Sequence, residues 1–499
     1  MARLLQLSII LLVVLPCSLF VALTPESVAE EYGTIFIRED GSVDPGTSPL
    51  QREGDFYTMT DNMTTNSVRG IVILRSNITL DGAGFTLNGT ALGYSTLGIN
   101  LDYGNNVTIR NFHVTTFGTA ILFDSSDTFN NNVNGNRITD CLDGIRIVGT
   151  DNTIAYNNMT NCSGAAILGG DANGNRLFGN IIEACNKGIW IEESIDLEIY
   201  ENNIAGNQET GIDLRYCSAI NTFDNYMFNN YQGFDISFSQ NVTISTNIVS
   251  ANERYAILLG SNVSDTNVFG NTIGFSDTGI GGLCSNSLIR DNVVTENRGY
   301  GIDLRDSFNN TIEENLITQG NYSGISLTYS YNNLVRANNI SEFQDVGIYL
   351  DSSHANTVCE NTINENAKGA VVYGENNTFY RNYFLNNTKQ VVVSSGAHAN
   401  SWDSGYPPEG YGGNYWSDFQ KRYPNATDIY GGPNQDQPGS DTFWDNPYII
   451  DSVNQDNYAI VPELSIAVLP LVMAALTAII IYRKRQSVVR ATESACSTA

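Results

Sequence analysis

Residues 188–214 read GIWIEESIDLEIYENNIAGNQETGIDL and contain one complete unit of a repeat. The unit opens with Gly188-Ile-Trp-Ile191, a glycine followed by alternating apolar residues. Ile199 then stands three positions before Asn202, and a second alternating pair ends at Ile204. The letters GIDL begin the pattern again. Alternation with a period of two is typical of a strand with one buried face, so the unit predicts three short strands.

The phrase Asn-x-apolar recurs through most of the chain at a nearly fixed spacing. Its asparagines cover 246 residues in eleven steps, a period of about 22 residues, and such a period is the signature of a solenoid. The twelve asparagines are Asn136, Asn157, Asn180, Asn202, Asn225, Asn247, Asn271, Asn292, Asn315, Asn338, Asn361 and Asn382. One unit departs from the pattern, because Thr222 replaces the apolar residue and the unit reads as one residue short.

Three strands and three turns in each unit predict an all-β fold, a parallel β-helix. The winding is expected to be right-handed, as parallel crossovers almost always are. Neighbouring coils should lie about 4.7–4.9 Å apart, so about fourteen coils give a rod roughly 67 Å long. Asparagine suits the corners because it tolerates the left-handed backbone region. Stacked asparagine amides can also bond to the coils above and below.

The segments outside the repeat divide the rest of the chain. Residues 1–29 are typical of a secretory signal, and the Trp- and Asp-rich end of the chain predicts an irregular module that closes the solenoid. An uninterrupted apolar run near the end is long enough to span a bilayer, and basic residues follow it, which predicts a cytoplasmic tail and an extracellular body. The expected divisions are a signal (1–29), an N-terminal cap (30–67), β-helix repeats (68–398), a C-terminal module (399–462), a transmembrane helix (463–482) and a tail (483–499).

The charge balance excludes one class of partner. The chain has 53 acidic and 25 basic residues and a net charge of −28. Nucleic-acid binding needs a basic stripe, so no nucleic-acid partner is expected. The balance fits a soluble, self-repelling surface protein.

Short motifs at the two ends carry a resemblance to a known family. They are Asn77-Ile-Thr-Leu-Asp-Gly-Ala-Gly84, Asn400-Ser-Trp-Asp403, Gly413-Asn-Tyr-Trp-Ser-Asp418, Pro447-Tyr-Ile-Ile-Asp451 and Asp456-Asn-Tyr458. Over about residues 34–461 the chain resembles the NosD-like branch of right-handed β-helix proteins, also described as carbohydrate-binding and sugar-hydrolase (CASH) domains, in its archaeal surface form. The resemblance implies carbohydrate as a ligand and, from the family name, copper delivery. Copper sites need His, Cys or Met clusters, whereas His113, His354 and His398 are far apart in the repeat.

Residues that follow each repeat glycine define the candidate site. The second residue after the glycine should face outward, and so should the fourth. These positions include the candidate catalytic residues Asp213, Asp235 and Asp303 and the candidate ligand-binding residues Trp190, Glu192, Arg215, Arg305, Tyr349 and Asp351. Aromatic rings stack on sugar rings and carboxylates bond to hydroxyls, so this stripe fits a glycan. Asp213 and Asp235 occupy the same position in adjacent coils, and a separation of about 4.8 Å is near the roughly 5–5.5 Å of retaining glycosidases. The simpler interpretation is solvated carboxylates on an acidic protein.

Three regularly spaced cysteines have two alternative interpretations. Cys141, Cys162 and Cys185 each stand five residues after a repeat asparagine, where later coils mostly have asparagine. A soft-metal site or a disulfide is one interpretation. Stacked side chains about 4.8 Å apart are too far for the usual disulfide, which favours buried free thiols that act as small packing residues.

The C-terminal module and the sequons allow two more predictions. Asp428, Asp436, Asp441 and Asp445 lie among Gly and Asn, a composition that fits structural calcium, although no known calcium-loop spacing is present. Fourteen Asn-x-Ser/Thr sequons, among them Asn62, Asn77, Asn88, Asn106, Asn158, Asn241, Asn321, Asn339 and Asn425, fit a glycosylated outer surface. An Asn- and Thr-rich repeat also produces sequons by chance.

The sequence therefore predicts an exported, membrane-anchored β-helix protein whose partners are extracellular carbohydrate or surface-layer components. The leading function is noncatalytic carbohydrate binding, or a scaffold or adhesion role. The alternatives are a polysaccharide hydrolase or lyase, which needs a groove with converging carboxylates and a basic residue, and a NosD-type copper-handling protein.

Overall fold

The computed structural model describes residues 30–90, 93–394 and 399–462. The predicted signal, the apolar run at 463–482 and the tail lie outside the described residues. Within the described part of the chain, no helix is both long and apolar enough to cross a membrane. The described chain is an all-β, right-handed parallel solenoid of about 15 turns.

Each turn contributes one strand to each of three sheets, named here sheet 1, sheet 2 and sheet 3 in the order of the repeat. Sheet 1 contains the Gly-apolar-x-apolar segments: Ile35–Ile37, Val43–Asp44, Arg69–Ile73, Leu97–Leu101, Thr119–Phe123, Asp143–Ile147, Ala165–Gly170, Lys187–Glu192, Thr210–Arg215, Gln232–Ser237, Tyr255–Ser264, Thr278–Ser285, Ile302–Arg305, Ser323–Thr328, Val346–Asp351, Lys368–Val372 and Lys389–Val393. Sheet 2 contains Leu50–Glu53, Phe56–Met59, Thr79–Asp81, Thr108–Arg110, Asn132–Asn134, Thr153–Ala155, Arg176–Phe178, Glu198–Tyr200, Asn221–Phe223, Thr243–Ser245, Asn267–Phe269, Leu288–Arg290, Thr311–Glu313, Leu334–Arg336, Thr357–Cys359 and Thr378–Tyr380. Sheet 3 contains Glu30–Glu31, Met63–Thr65, Thr86–Gly89, His113–Thr115, Arg137–Thr139, Asn158–Thr160, Ile181–Glu183, Asn203–Ala205, Tyr226–Phe228, Ile248–Ser250, Thr272–Gly274, Val293–Thr295, Leu316–Gly320, Asn339–Phe343, Thr362–Asn364, Tyr383–Leu385 and Tyr415–Trp416.

Coils pair in parallel and in register, as the repeat predicts. Ile189 pairs with Ile212 and Trp190 with Asp213, one full unit further on. The segment predicted as a cap, 30–67, already supplies strands to all three sheets and adds an antiparallel hairpin between Leu50–Glu53 and Phe56–Met59. This first turn covers the end of the core.

The core is a continuous column of apolar side chains from all three sheets. Ile189, Ile199 and Ile204 are each 0% exposed. Thr222 pairs with both Ile199 and Ile244, so its unit is in register and the interpretation of a missing residue was wrong. Its buried hydroxyl donates to the Thr243 carbonyl at 3.2 Å, which removes the penalty for a polar group in the core.

The corners differ from the prediction in which residue takes the left-handed conformation. That residue directly precedes the repeat asparagine and is of many types, for example Tyr156 (φ 56°), Glu201 (φ 54°) and Arg381 (φ 55°). The asparagine is needed for its amide instead. Each backbone N–H and each Nδ2 of the twelve asparagines donates to the Oδ1 of the next one at 2.9–3.1 Å, and all twelve are 0–1% exposed. The Asn ladder therefore satisfies the backbone of one buried corner.

The last coil merges with the C-terminal module. Asn382 donates to Asn414, which continues the Asn ladder. Trp402 and Trp416 take the core positions and stack on the phenylalanines of the previous coil with 4.5 Å between ring centroids. The module then adds one helical turn, Phe419–Arg422, and two small hairpins, Tyr430–Gly431 with Gln437–Pro438 and Tyr448–Ile449 with Gln455–Asp456.

Candidate ligand-binding face on sheet 1

The candidate residues lie on the outer surface of sheet 1, between the strands that begin at Lys187 and Lys368. This surface is called the sheet 1 face below. Alternation turns Ile212 and Leu214 into the core and Asp213 and Arg215 outward. Register then places equivalent outward residues of successive coils in columns along the rod.

Asp213 is the centre of a buried ion-pair cluster. Its carboxylate accepts from Lys187 Nζ at 2.7 Å and from Arg215 Nε at 3.0 Å, and Lys187 Nζ also lies 4.1 Å from the Trp190 ring centroid. Although it points outward, the Asp213 side chain is only 1% exposed. The expectation of a solvated carboxylate was therefore wrong, because long side chains of the same and the preceding coil cover it.

Asp235 occupies the next position in the Asp213 column. It accepts from Ser237 Oγ at 3.1 Å and from Gln232 Nε2 at 3.4 Å. Burial and, secondarily, the neighbouring Asp213 charge raise the pKa of Asp235. The two carboxylates thus differ, since one is held by two cations and the other has none within 4 Å among the described residues.

Two coils without charged residues in this column follow. Leu258 and Gly281 continue the column beyond Asp235, and the ring of Tyr255 lies so close that a Cβ on Gly281 would meet it at 2.7 Å. A bulge between Leu259 and Val263 interrupts the pairing of these two strands. The face is therefore divided into two polar parts.

The second polar part begins at Asp303. Asp303 is 4% exposed and pairs with Arg305 at 3.1 Å. Tyr300 lies beside it, with its ring centroid 5.2 Å from that of Tyr322. Burial, followed by the Asp303 charge, raises the pKa of Tyr300.

Tyr349 and Asp351 complete the face further along the rod. The Tyr349 ring meets Tyr373 edge-on at 5.9 Å between centroids. Burial and the Asp351 charge raise the pKa of Tyr349 to about 12, so the phenol keeps its proton at neutral pH. Tyr349 can therefore donate a hydrogen bond and present an aromatic surface.

The structure brings the nine predicted residues onto one face but not into one site. Trp190, Glu192, Asp213, Arg215 and Asp235 lie together, and the other four, Asp303, Arg305, Tyr349 and Asp351, lie beyond Gly281. Sequence reasoning missed a third outward column that contains Lys187, Gln232, Tyr255 and Tyr300. Their position, directly before the repeat glycine or, for Tyr255, before the equivalent Ala256, was the signal that could have identified them.

The predicted calcium residues do not converge. Asp428 accepts from the Asp441 N–H and the Ser440 hydroxyl, and Asp445 accepts from the Ile429 and Tyr430 N–H groups. Asp441 accepts from Gln435 at 2.7 Å. Among the described residues, no three His, Cys, Asp or Glu side chains are grouped to hold a metal ion. Calcium at these residues stays a prediction.

The stacked thiols are buried and free, as the spacing predicts. Cys141, Cys162 and Cys185 form no disulfide, and the Cys185 N–H donates to Asn207 at 2.9 Å, which places the thiols at the start of a second asparagine column. Burial raises the pKa of Cys141 to about 11. The hydrogen bond with Cys162 lowers the pKa of Cys185. All three thiols are 0–1% exposed and act as packing residues.

Two family models match adjacent parts of the chain. Residues 282–421 match the family described as "Periplasmic copper-binding protein (NosD)", and residues 119–273 match "Right handed beta helix region". No curated protein matches the chain.

Solved structures with a similar fold are distant in sequence. The A-module of a mannuronan C-5 epimerase from Azotobacter vinelandii is 10% identical, with a TM-score of 0.40 over 66% of this chain and 88% of that one. The periplasmic alginate epimerase AlgG is 13% identical, with a TM-score of 0.34 over 71% of this chain and 78% of that one. The Dettilon tailspike protein is 14% identical, with a TM-score of 0.42 over 58% of this chain and 62% of that one. Likenesses at this level do not extend to activity.

The two family matches and the observed solenoid show that the chain is a NosD-like right-handed β-helix repeat protein.

Proposed function

We propose that this protein binds an extended carbohydrate along the sheet 1 face without cleaving it. One observation carries the proposal. Between Trp190 and Tyr349, eight successive coils place two groups of aromatic and carboxylate side chains on one outer face, and the coils of Leu258 and Gly281 separate the two groups. Aromatic rings offer flat apolar surfaces and carboxylates accept hydroxyl hydrogen bonds, the pairing of groups that a sugar chain requires.

The ion pairs favour binding over catalysis. Both oxygens of Asp213 are engaged, because Arg215 contacts Oδ1 and Lys187 contacts Oδ2. Asp303 is likewise paired with Arg305. A carboxylate held by cations in this way is less available to contact a reacting sugar, so these residues are better suited to fixing the shape of the surface.

A polysaccharide hydrolase or lyase is the second candidate, and Asp235 favours it. A carboxyl with a raised pKa beside an ionised carboxylate is the arrangement that separates acid and base roles in glycosidases. Asp235 stands in that relation to Asp213. In this alternative, Asp235 donates the proton to the leaving oxygen.

The proposed setting is the outer cell surface, with surface-layer components as further partners. The match to a family described as periplasmic supports export. Membrane attachment through 463–482 and glycosylation of the sequons are parts of the same proposal, and a scaffold or adhesion role fits it equally.

The decisive experiment measures binding and product release together. The full chain is titrated with acidic and neutral polysaccharides, with and without calcium, and the mixtures are examined by mass spectrometry. We expect binding without released oligosaccharides, and we expect Tyr349→Ala to weaken binding about tenfold. Tyr156→Ala is the matched control, since Tyr156 is 63% exposed on a corner away from the sheet 1 face.

Either of two results would change the assignment. Oligosaccharide products that disappear in Asp235→Asn would make the protein an enzyme. Binding that Tyr349→Ala and Tyr156→Ala weaken equally would move the binding site away from the sheet 1 face.

A further inference from the structure

We propose that the sheet 1 face selects neutral, hydroxyl-rich polysaccharides and rejects polyanionic ones such as polyuronates. The inference rests on the glycan-binding function proposed above and specifies the charge of the ligand. It follows from the ion pairs that the cations on this face form with carboxylates of the protein.

Every cation on the strands of the sheet 1 face is already paired with a carboxylate. Lys187 and Arg215 share Asp213, at 2.7 and 3.0 Å. Arg305 lies 3.1 Å from Asp303, and Lys368 lies 2.6 Å from Asp345. A carboxylate or sulfate of a ligand would have to compete with these protein carboxylates for each of the four cations.

The arginines at the border with sheet 3 are engaged as well. Arg254 donates to the Tyr231 hydroxyl at 3.4 Å, and its guanidinium carbon lies 5.5 Å from the Tyr255 ring centroid. Arg298 donates to the Glu253 carbonyl. These contacts hold the guanidinium groups at the edge of the face.

Three carboxylates on the same strands have no cation within 4 Å among the described residues. They are Glu192, Asp235 and Asp351, and their hydrogen bonds come from Trp190 at 3.1 Å, Ser237 at 3.1 Å and Ser352 at 3.1 Å. The strands therefore carry four cations and five carboxylates, and the protein as a whole has a net charge of −28. A polyanion would approach like charge.

The cost of exchanging partners reinforces the selection. A ligand carboxylate that captured Lys187 would leave Asp213, whose side chain is 1% exposed, short of a partner in a buried position. Breaking a buried pair is more costly than breaking an exposed one. A sugar hydroxyl needs no such exchange, because it can donate to Glu192, Asp235 or Asp351, carboxylates that no cation within 4 Å holds among the described residues.

The test uses pairs of polymers in which the two members share a backbone and one is anionic while the other is neutral. The full chain is titrated with polygalacturonate and its methyl ester, with carboxymethyl and hydroxyethyl glucan, and with sulfated and unsulfated galactan. We expect at least one neutral member to bind about tenfold or more tighter than its anionic partner in low salt, a ratio that shrinks as salt screens the repulsion.

A charge variant tests the cause. Asp213→Asn removes the negative charge that pairs with Lys187 and Arg215 and one of its two acceptor oxygens, so we expect the affinity for the anionic partner to rise about tenfold. Asp436→Asn changes the net charge equally at an exposed position in the C-terminal module and should leave the ratio unchanged. Thermal melting checks folding, and Asp303→Asn, which releases Arg305, provides a second variant if the first is unstable.

The outcomes separate the two proposals. Anionic members that bind as tightly as their neutral partners would overturn the selection and leave glycan binding intact. No binding to any member of the three pairs would overturn the proposed function and the selection together.

Discussion

A single asparagine in the Asn ladder connects three coils. Oδ1 of Asn292 accepts from the N–H and the Nδ2 of Asn271, at 3.0 and 2.9 Å. Its Nδ2 donates to the Val268 carbonyl at 2.9 Å and to Asn315 at 3.0 Å. Because the residue is 1% exposed, water cannot replace these partners if the side chain is removed.

Asn292→Leu should therefore be strongly destabilising. It leaves the two Asn271 donors and the Val268 carbonyl without their partner, and each unsatisfied buried group costs about 1–3 kcal/mol. We expect the free energy of unfolding to fall by roughly 3–5 kcal/mol in urea titrations. Asn158→Ala, which changes an exposed asparagine in the sheet 3 strand Asn158–Thr160, should change it by less than about 0.5 kcal/mol. Equal losses in both variants would contradict this role of the Asn ladder.

Asp235 should make stability depend on pH in a defined direction. Its folded pKa lies above its unfolded value, so the protonated group favours the fold. That contribution is full below the unfolded pKa, near pH 4, and is lost as pH rises through the folded pKa. Asp235→Asn should melt at a higher temperature than the unmodified protein at pH 8, and the difference should shrink towards pH 4. A melting difference that is constant with pH would contradict this.

At the scale of the strand, the neighbouring coil lies so close to the first residues of a sheet 1 strand that it limits the size of the side chain there. A Cβ on Gly188 would meet the Gly211 carbonyl well inside contact distance and Ile204 Cγ2 at 2.8 Å. The equivalent position in three other coils is alanine, namely Ala120, Ala166 and Ala256, each 0% exposed. The column therefore accepts one methyl group where the neighbouring coils leave room, and the larger Gln390 occurs only in the last strand of sheet 1, opposite Gly369.

Gly188→Val tests this limit. Overpacking a well-filled core costs about 1–3 kcal/mol, and we expect a loss of that size in the free energy of unfolding. Gly188→Ala should lose less, and Ala256→Gly should lose about 1 kcal/mol or less. A Val variant as stable as the Ala variant would show that the coils can move apart.

The terminal coil has its own pH-dependent element. Asp456 accepts from the Asn414 N–H at 2.7 Å, from Trp416 Nε1 at 2.8 Å and from the Tyr458 N–H at 3.1 Å. Burial outweighs these donors and raises its pKa to about 7. Because the folded pKa exceeds the unfolded one, the contribution to stability is full below about pH 4 and is lost as pH rises through 7.

The module should therefore open more easily above neutral pH. Hydrogen exchange of the Trp416 indole and nearby amides should be faster at pH 8 than at pH 6 after correction for intrinsic rates. Asp456→Asn should remove most of that dependence. An unchanged pH dependence in the variant would assign the opening to another group.

The sequence predicted the architecture because each coil encodes it locally. Asn400-x-Trp402 and Asn414-x-Trp416 even repeat the Asn-x-apolar phrase at the core positions of the last coil. The burial of Asp213 was not predictable in the same way, because its cover includes Lys187 from the preceding coil. The position of the left-handed corner residue was not predictable either, because the register of the coils imposes the left-handed backbone conformation on whichever residue precedes the asparagine.

At the scale of the whole molecule, the solenoid is a rod of about 15 turns, or roughly 70 Å at about 4.8 Å per turn. Its N-terminal turn and its C-terminal module close opposite ends. Residue 462 is therefore at the end remote from the first coil. The predicted span at 463–482 would attach the protein by that end.

Attachment is testable by fractionation. The full chain should stay with membranes after alkaline carbonate extraction, whereas a chain ended at residue 462 should be released in soluble form. Equal release of both would contradict a spanning segment. The ligand-binding experiments should give the same affinities for both forms if the anchor is separate from the sheet 1 face.

The direction of the Asn ladder has a consequence for biogenesis. Each corner asparagine donates its N–H towards the C-terminus, so a corner is complete only when the following coil has formed. A nascent chain emerging from the ribosome or a translocation pore would always carry one unfinished corner at its growing tip. Asn414 ends this series, because the acceptor of its N–H is Asp456, which lies outside the repeat. The series of corners would therefore be complete only after the residues around Asp456 have left the ribosome or the translocation pore.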